Sequence, residues 1–458
     1  MSLTDGGCGV RFLQGEDAVE VHPGTRMEGT VRVPGDKSIS HRLAMLGGLA
    51  SGRTTVRSFL CSEDCLSTLA AVEALGAMVT REGTTVRIDG TAGRYREPGG
   101  SLDLGNSGTG MRLLSGLLAA HPFRSRLTGD ASLCSRPMGR VQVPLERMGG
   151  KVEPLGKDGR PPLDIRGGEL KAIDYELPVA SAQVKSCVLL AGLFASGRTT
   201  VREPKPTRDH TERLLRAMGL RAGVDGPLAW VEGSGGAPLS LPARDWDIPG
   251  DLSSAAFWIV AAACGAAGAV VVEDVGLNPR RSALLAVLHD MGAGIEIDVR
   301  QSEAGYSFSG SEWEPRGNVT VGKGRLHGVT VGGYIIPNLI DELPLVAVAG
   351  ALAEGETEIR DAAELRVKES DRIATMATAM RTMGADVEER PDGMRIRGGR
   401  PIVGDTVVES GGDHRVAMAL AVLGLFAERP TILRGVQCIG TSYPSFWDDW
   451  GRLMTTGA

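Results

Sequence analysis

The chain has 458 residues, 42% of them hydrophobic and 23% charged, with a formal net charge of −6. That length holds two or more domains, each able to bury its own core. The acidic balance argues against a nucleic-acid partner, which normally selects a basic surface, so local basic clusters in this chain point to a small anionic ligand. Seven cysteines at irregular spacing read as reduced thiols. Cys61 and Cys65 lack a matching second pair, which argues against a zinc site. No basic region followed by an apolar stretch opens the chain, and apolar runs such as 343–352 are too short to span a bilayer. A cytoplasmic protein with no membrane partner is expected.

In chain order, residues 17–33 alternate Val19, Val21, Val31 and Val33 and read as strand. A helix then opens at Gly35-Asp36-Lys37-Ser38, and the strand Ser51-Gly52-Arg53-Thr54-Thr55-Val56-Arg57 follows it. That strand recurs letter for letter at Ser196 to Arg202, with looser copies at 268–272, 355–359 and 430–433 and a degenerate one at 124–128. A second marker, a glycine after a helix, falls at Gly76, Gly149, Gly219, Gly292 and Gly384, and a further step reaches Gly457. Six units of about 70 residues result, the fifth interval carrying an insertion. Each reads helix, strand, helix, then one or two strands. The sixth stops after its second helix, and the N-terminal strands are expected to complete it. Domains at 34–248 and at 249–458 plus 1–33 follow, joined by two crossings near 33–36 and 248–251, where Pro-Gly-Asp recurs. Such a double hinge should let two domains close over a cleft.

Each unit opens its first helix with glycine, serine or aspartate: 35–38, 105–110, 180–183, 250–253, 338–341 and 411–414. Helix N-termini present unpaired N–H groups and partial positive charge, and they bind phosphates and carboxylates. Every helix needs a cap, and for Gly250-Asp251 capping alone is the expected role. At the other openings charged or polar side chains lie close by. Ser38 and Arg42 are one turn apart beside Lys37, and Arg136 precedes a proline and should be held on a turn. Arg415 follows Asp413-His414 at a helix start. An isolated arginine is usually a surface charge, and a histidine such as His414 is more often structural. The densest cluster is Arg366-Val367-Lys368-Glu369-Ser370-Asp371-Arg372. On a helix Lys368 and Arg372 would share a face with Glu369 beside them. Alone, the cluster fits a solvated helix start as well as a site that binds an anion and moves a proton.

Together these segments resemble the 5-enolpyruvylshikimate-3-phosphate synthase (EPSP synthase) family from about Val31 to Phe446. The motifs are Gly35-Asp36-Lys37-Ser38 through Arg42, Gly105-Asn106-Ser107-Gly108-Thr109, Arg136-Pro137, Ser181-Ala182-Gln183, Asp341-Glu342, Arg366 to Arg372, and Asp413-His414-Arg415. The run Thr207-Arg208-Asp209-His210-Thr211-Glu212 resembles a bacterial subgroup with glyphosate-tolerant members. The resemblance implies an α/β fold of two domains, each with three βαβαββ units and helix N-termini facing the interdomain cleft. It implies joining of phosphoenolpyruvate to the 5-hydroxyl of shikimate 3-phosphate, with release of phosphate and without metal or organic cofactor. Lys37, Ser38, Arg42, Ser181, Ala182, Gln183, Arg208, Asp341 and Lys368 would hold shikimate 3-phosphate. Lys37, Gly108, Arg136, Gln183, Arg372 and Arg415 would hold phosphoenolpyruvate. Asp341 would accept the hydroxyl proton, and Glu369 and Lys37 would carry protons to and from the methyl group and phosphate. A monomer is implied, with glyphosate as a competitor of phosphoenolpyruvate because Gly108 stands where tolerant relatives often carry alanine.

Thr441 departs from the pattern, since many relatives have a lysine there. The sister transferase acting on UDP-N-acetylglucosamine is the nearest alternative, but its loop cysteine five residues before Arg-Pro is here Ala131. A non-catalytic paralogue that only binds phosphorylated ligands is the other, and it would be expected to lose Asp341, Glu369 or Lys37, all present. RNA-phosphate cyclases share a related repeat but would favour a basic surface.

Overall fold

The computed structural model describes residues 9–24, 26–265, 268–300 and 313–455. The chain divides into two compact units. Of the described residues, the first holds 35–249 with 313–314, and the second holds 9–24, 26–34, 250–265, 268–300 and 315–455.

Among the described residues, each unit holds three four-stranded sheets, all built alike. A short leading strand runs parallel to the strand after the first helix, and a hairpin adds two antiparallel strands. In one sheet Leu102–Asp103 lies parallel to Arg124–Thr128, which pairs antiparallel with Leu163–Arg166 and through it with Lys151–Pro154. The repeated strand takes the same inner place in all six sheets, including Arg53–Arg57, Arg198–Arg202, Val270–Gly276, Glu356–Ile359 and Thr431–Arg434. Its pattern explains this, because Thr54 and Val56, like Thr199 and Val201, point inward while the flanking arginines face water. Alternating β-branched residues suit a half-buried strand and fix its register.

The N-terminal hairpin Val10–Phe12 and Ala18–Val21 pairs antiparallel with Thr431–Arg434 and supplies the closing strands of the last repeat. At the two chain crossings the leading strands are exchanged. The repeat would set Gly29–Val31 beside Arg53–Arg57. It lies instead parallel to Val270–Gly276, and Asp245–Asp247 takes the place beside Arg53–Arg57.

The glycine markers Gly76, Gly149, Gly219, Gly292 and Gly384 all have φ between 85° and 108°. They stop the second helix of their repeats in a left-handed conformation that a side chain would strain. Gly457 lies outside the described residues.

The first helices are buried nearly all round. In the first unit these are Lys37–Leu49, Gly108–Ala119 and Ala182–Gly192; in the second, Leu252–Gly265, Leu343–Leu352 and His414–Gly424. Helices apolar on every side belong in a core, and each fully buried leucine, such as Leu113 or Leu117, contributes roughly 1.5–3 kcal/mol. A Cβ at Gly116 would fall 2.2 Å from the Cys187 carbonyl oxygen, so two of these helices touch backbone to backbone. No single helix among the described residues is long and apolar enough to cross a membrane.

Candidate active site

In the first unit, the N-terminal ends of the three buried helices are tied together by side chains. Asp36 caps the first, its carboxylate accepting from the Ile39 N–H at 2.9 Å. Lys37 follows and forms an ion pair with Asp64. Ser107 caps the second helix and Ser181 the third, accepting from Gly110 N–H at 3.0 Å and Val184 N–H at 3.3 Å. Gln183 bridges the two, donating to Thr109 Oγ1 at 2.9 Å and accepting from Arg112 at 2.8 Å. Ala182 is the first residue of the third helix. Arg136 sits on a bend just after the short helix Ala131–Cys134, buried, and donates to Asn106 Oδ1 at 2.6 Å. A Cβ on Gly108 would lie 2.8 Å from Arg112 Nη1 and 3.1 Å from Arg136 Nη1, so both guanidinium groups reach the bare start of this helix.

Arg42 joins the first helix to the third. Its Nε donates to Thr211 Oγ1 at 2.7 Å, Nη2 to Ser186 Oγ at 2.7 Å and Nη1 to the Ser38 carbonyl at 2.8 Å. All three acceptors are neutral. Burial pulls its pKa down to about 10, against the attraction of Glu212, Asp36 and Glu314 acting through space and with added repulsion from Arg208. That repulsion places Arg208 within electrostatic reach of Arg42. Beneath them, burial and the charges of Lys37 and Arg42 hold His41 well below the usual histidine range, so it is neutral.

The second unit gathers Asp341, Lys368, Glu369, Arg372 and Arg415. Arg372, fully buried, donates to Asp413 at 2.7 Å, to Glu369 at 2.6 Å and to Asp341 at 3.1 Å. Burial opposes its charge, but Asp413, Glu369 and Asp341 outweigh that and raise its pKa. Lys368 Nζ and Arg415 Nε each lie 3.8 Å from Asp341 Oδ1. Desolvation pulls the half-buried Lys368 below the usual lysine value, with Asp341 opposing and Arg372 reinforcing. Asp413 also caps its helix, accepting from Arg415 N–H at 2.9 Å. A second network lies beneath, where Arg281 contacts Glu342 at 3.1 Å and Asp251 at 3.2 Å. Asp251 therefore does more than cap its helix.

The expectation that Lys368 and Arg372 share a helix face is corrected. A 3₁₀ turn covers Ala363–Val367, residues 368–371 are non-helical, and the helix starts at Arg372. Asp371 is the reason: its carboxylate accepts from Ala374 N–H at 3.0 Å and caps the helix there. Lys368 and Glu369 reach the cluster from an irregular segment instead. Arg366 turns away, binding Asp371 at 2.8 Å and the carbonyls of Pro391 and Arg390. Sequence reasoning missed Asp64 and Arg112, and it placed Asn106 and Asp413 in its motifs without a role for either side chain. Arg112 had a signal, standing one helical turn after Gly108. Asp64 had none. At Thr441 the hydroxyl donates to the Cys438 carbonyl at 2.7 Å and lies 3.2 Å from His414 Nδ1.

Two sets of three buried helices, each with cations and caps collected at its N-terminal ends, form the architecture of the enolpyruvyl transferases. The enolpyruvyl transferase NikO from Streptomyces tendae superposes with a TM-score of 0.75, covering 97% of this chain and 100% of that one, at 22% identity. EPSP synthase from Acinetobacter baumannii superposes with a TM-score of 0.82 at 42% identity, covering 95% and 98%. The family model for EPSP synthase (3-phosphoshikimate 1-carboxyvinyltransferase) matches residues 21–450. The protein named 3-phosphoshikimate 1-carboxyvinyltransferase from Akkermansia muciniphila is 51% identical over 443 residues, 94% of this chain and 99% of that one. Its namesake from Geobacillus kaustophilus is 47% identical over 430 residues, 93% and 98%. The chain belongs to the EPSP synthase family.

Proposed function

We propose that this chain transfers the enolpyruvyl group of phosphoenolpyruvate to the 5-hydroxyl of shikimate 3-phosphate, the activity named in its relatives. The observation that carries the residue roles is Asp341, a carboxylate approached by Arg372, Lys368 and Arg415 beside the further carboxylate Glu369. One group must take the hydroxyl proton while another supplies a proton to the methylene carbon, and Asp341 and Glu369 are two carboxylates that bind the same Arg372 guanidinium.

In this reading the 5-hydroxyl oxygen bonds to C2 of phosphoenolpyruvate as Asp341 takes its proton. The methylene carbon gains a proton from Glu369 or Lys37, giving a tetrahedral intermediate. The new methyl group then returns a proton to the deprotonated Glu369 or Lys37, and its C–H electron pair restores the double bond as the C–O bond to phosphate breaks. Ser38, Arg42, Ser181, Ala182, Gln183, Arg208 and Lys368 hold shikimate 3-phosphate; Gly108, Arg136, Arg372 and Arg415 hold phosphoenolpyruvate, with Lys37 and Gln183 contacting both. Helix N-termini and guanidinium groups suit such polyanions. Glyphosate competes with phosphoenolpyruvate at Gly108 and Arg136, and an inhibition constant far above the KM for phosphoenolpyruvate would exclude this. The reading carries with it a cytoplasmic monomer, checked by sedimentation.

The test is phosphate release from phosphoenolpyruvate with shikimate 3-phosphate, with UDP-N-acetylglucosamine, and with neither. Release only with shikimate 3-phosphate is expected. Release with the nucleotide sugar would make this the sister enzyme, and release with neither would leave a binding protein.

A further inference from the structure

Resting on that reading, we infer that Thr211 and Ser186 are positioning residues for the phosphorylated acceptor substrate. They close a ring of hydrogen bonds that aims the Arg42 guanidinium without neutralising it. Thr211 Oγ1 accepts from Arg42 Nε, Ser186 Oγ accepts from Arg42 Nη2, and Thr211 Oγ1 donates to Ser186 Oγ, each at 2.7 Å. Both hydroxyls are completely buried. The third arginine nitrogen is tied to the Ser38 carbonyl one turn back along its own helix.

A guanidinium only donates, so both hydroxyl oxygens must accept from it, and the Thr211–Ser186 hydrogen bond closes the ring with a hydroxyl proton that the guanidinium does not need. A carboxylate in place of either hydroxyl would hold Arg42 as firmly, but it would also cancel the charge that an anionic substrate needs. Two short neutral side chains fix the orientation and leave that charge available.

The ring has its own foundation. Lys185, the neighbour of Ser186, is fully buried and pairs with Glu212, the neighbour of Thr211, at 2.8 Å and with Glu203 at 3.0 Å. Glu203 in turn accepts from the Thr207 N–H at 3.1 Å. The Thr207–Glu212 run is thereby clamped to the third helix, and Thr211 is held opposite Ser186. Neither hydroxyl touches the reacting atoms in this account; both act through Arg42.

The decisive variant is Thr211→Val, which keeps the shape and removes the acceptor, read beside Thr211→Ser, which restores it. Calorimetric titration with shikimate 3-phosphate alone, without phosphoenolpyruvate, is the main readout. Losing one neutral acceptor of a charged donor should weaken binding by about 10- to 100-fold. Thr211→Ser should bind like the wild type, and the KM for phosphoenolpyruvate should be unchanged in both. If Thr211→Val does not fold, Ser186→Ala with the same titration takes its place. Wild-type affinity in Thr211→Val or Ser186→Ala, with the wild type itself turning over, overturns the positioning role alone. A wild type that neither binds shikimate 3-phosphate nor releases phosphate overturns both this inference and the reading beneath it.

Discussion

Arg42 in the first unit and Arg372 in the second are both buried, at 3% and 1% exposure, yet their surroundings are opposite. Arg42 gives its hydrogen bonds to two hydroxyls and a carbonyl, and its pKa falls. Arg372 gives its own to three carboxylates, and its pKa rises. The first unit therefore keeps a positive charge uncancelled where an anion must dock. The second spends its charge holding Asp341, Glu369 and Asp413 in one place. Burial alone does not say what a cation is for; the charge of its acceptors does.

The comparison can be broken from either side. Asp341→Asn keeps the shape and removes the base, so kcat should fall about 10²–10⁴-fold while the fold survives. Steady-state phosphate release gives the number, and near-normal kcat would remove Asp341 from the chemistry. Arg372→Met should cost about 3–5 kcal/mol of folding stability, because it removes the one guanidinium that binds the buried Asp413 together with Glu369 and Asp341. Chemical denaturation measures this, and a cost below 1 kcal/mol on the same scale would show that the cluster does not depend on Arg372.

Acid should separate the two units. In the first, burial holds His41 and His121 below their ordinary value of 6.5. The unfolded chain then binds protons that the folded chain refuses, so this stability is full above pH 6.5 and is lost as pH falls below it. In the second, burial raises Asp449 above its ordinary 3.8, against Tyr443, Ser445 and Arg452, so as pH falls the folded form takes up this proton before the unfolded chain does, and acid favours it. Hydrogen exchange at pH 7 and at pH 5 should show protection lost first in the first unit. Equal loss in both would mean that these groups do not govern the response. The smallest effect belongs to Gly108→Ala. Its methyl would press on the ends of Arg112 and Arg136, flexible groups that can shift. Melting should be unchanged, the KM for phosphoenolpyruvate should rise modestly, and the glyphosate inhibition constant should rise more. An equal rise in both would show that the methyl does not discriminate between them.

The repeat was readable because it is physical. The recurring Arg-Thr-Thr-Val-Arg places two β-branched residues inward, and the marker glycines occupy left-handed helix ends. The exchange of Gly29–Val31 with Asp245–Asp247 was not readable, since both segments look like ordinary leading strands and only tertiary pairing tells them apart. Lys368 was misplaced for a local reason. The periodicity of 366–372 fits a helix, but the Asp371 side chain caps a helix that starts later. Arg112 and Ser186 escaped notice, and Thr211 was read only as part of a run, because hydroxyls and a mid-helix arginine acquire meaning only from what they touch.

The most direct test of the contrast is Arg42→Met, followed by thermal melting and by titration with shikimate 3-phosphate. The account predicts an unchanged or higher melting temperature, since a buried cation without a carboxylate partner is removed, together with loss of measurable binding. A variant that melts as early as Arg372→Met and still binds shikimate 3-phosphate like the wild type would contradict it.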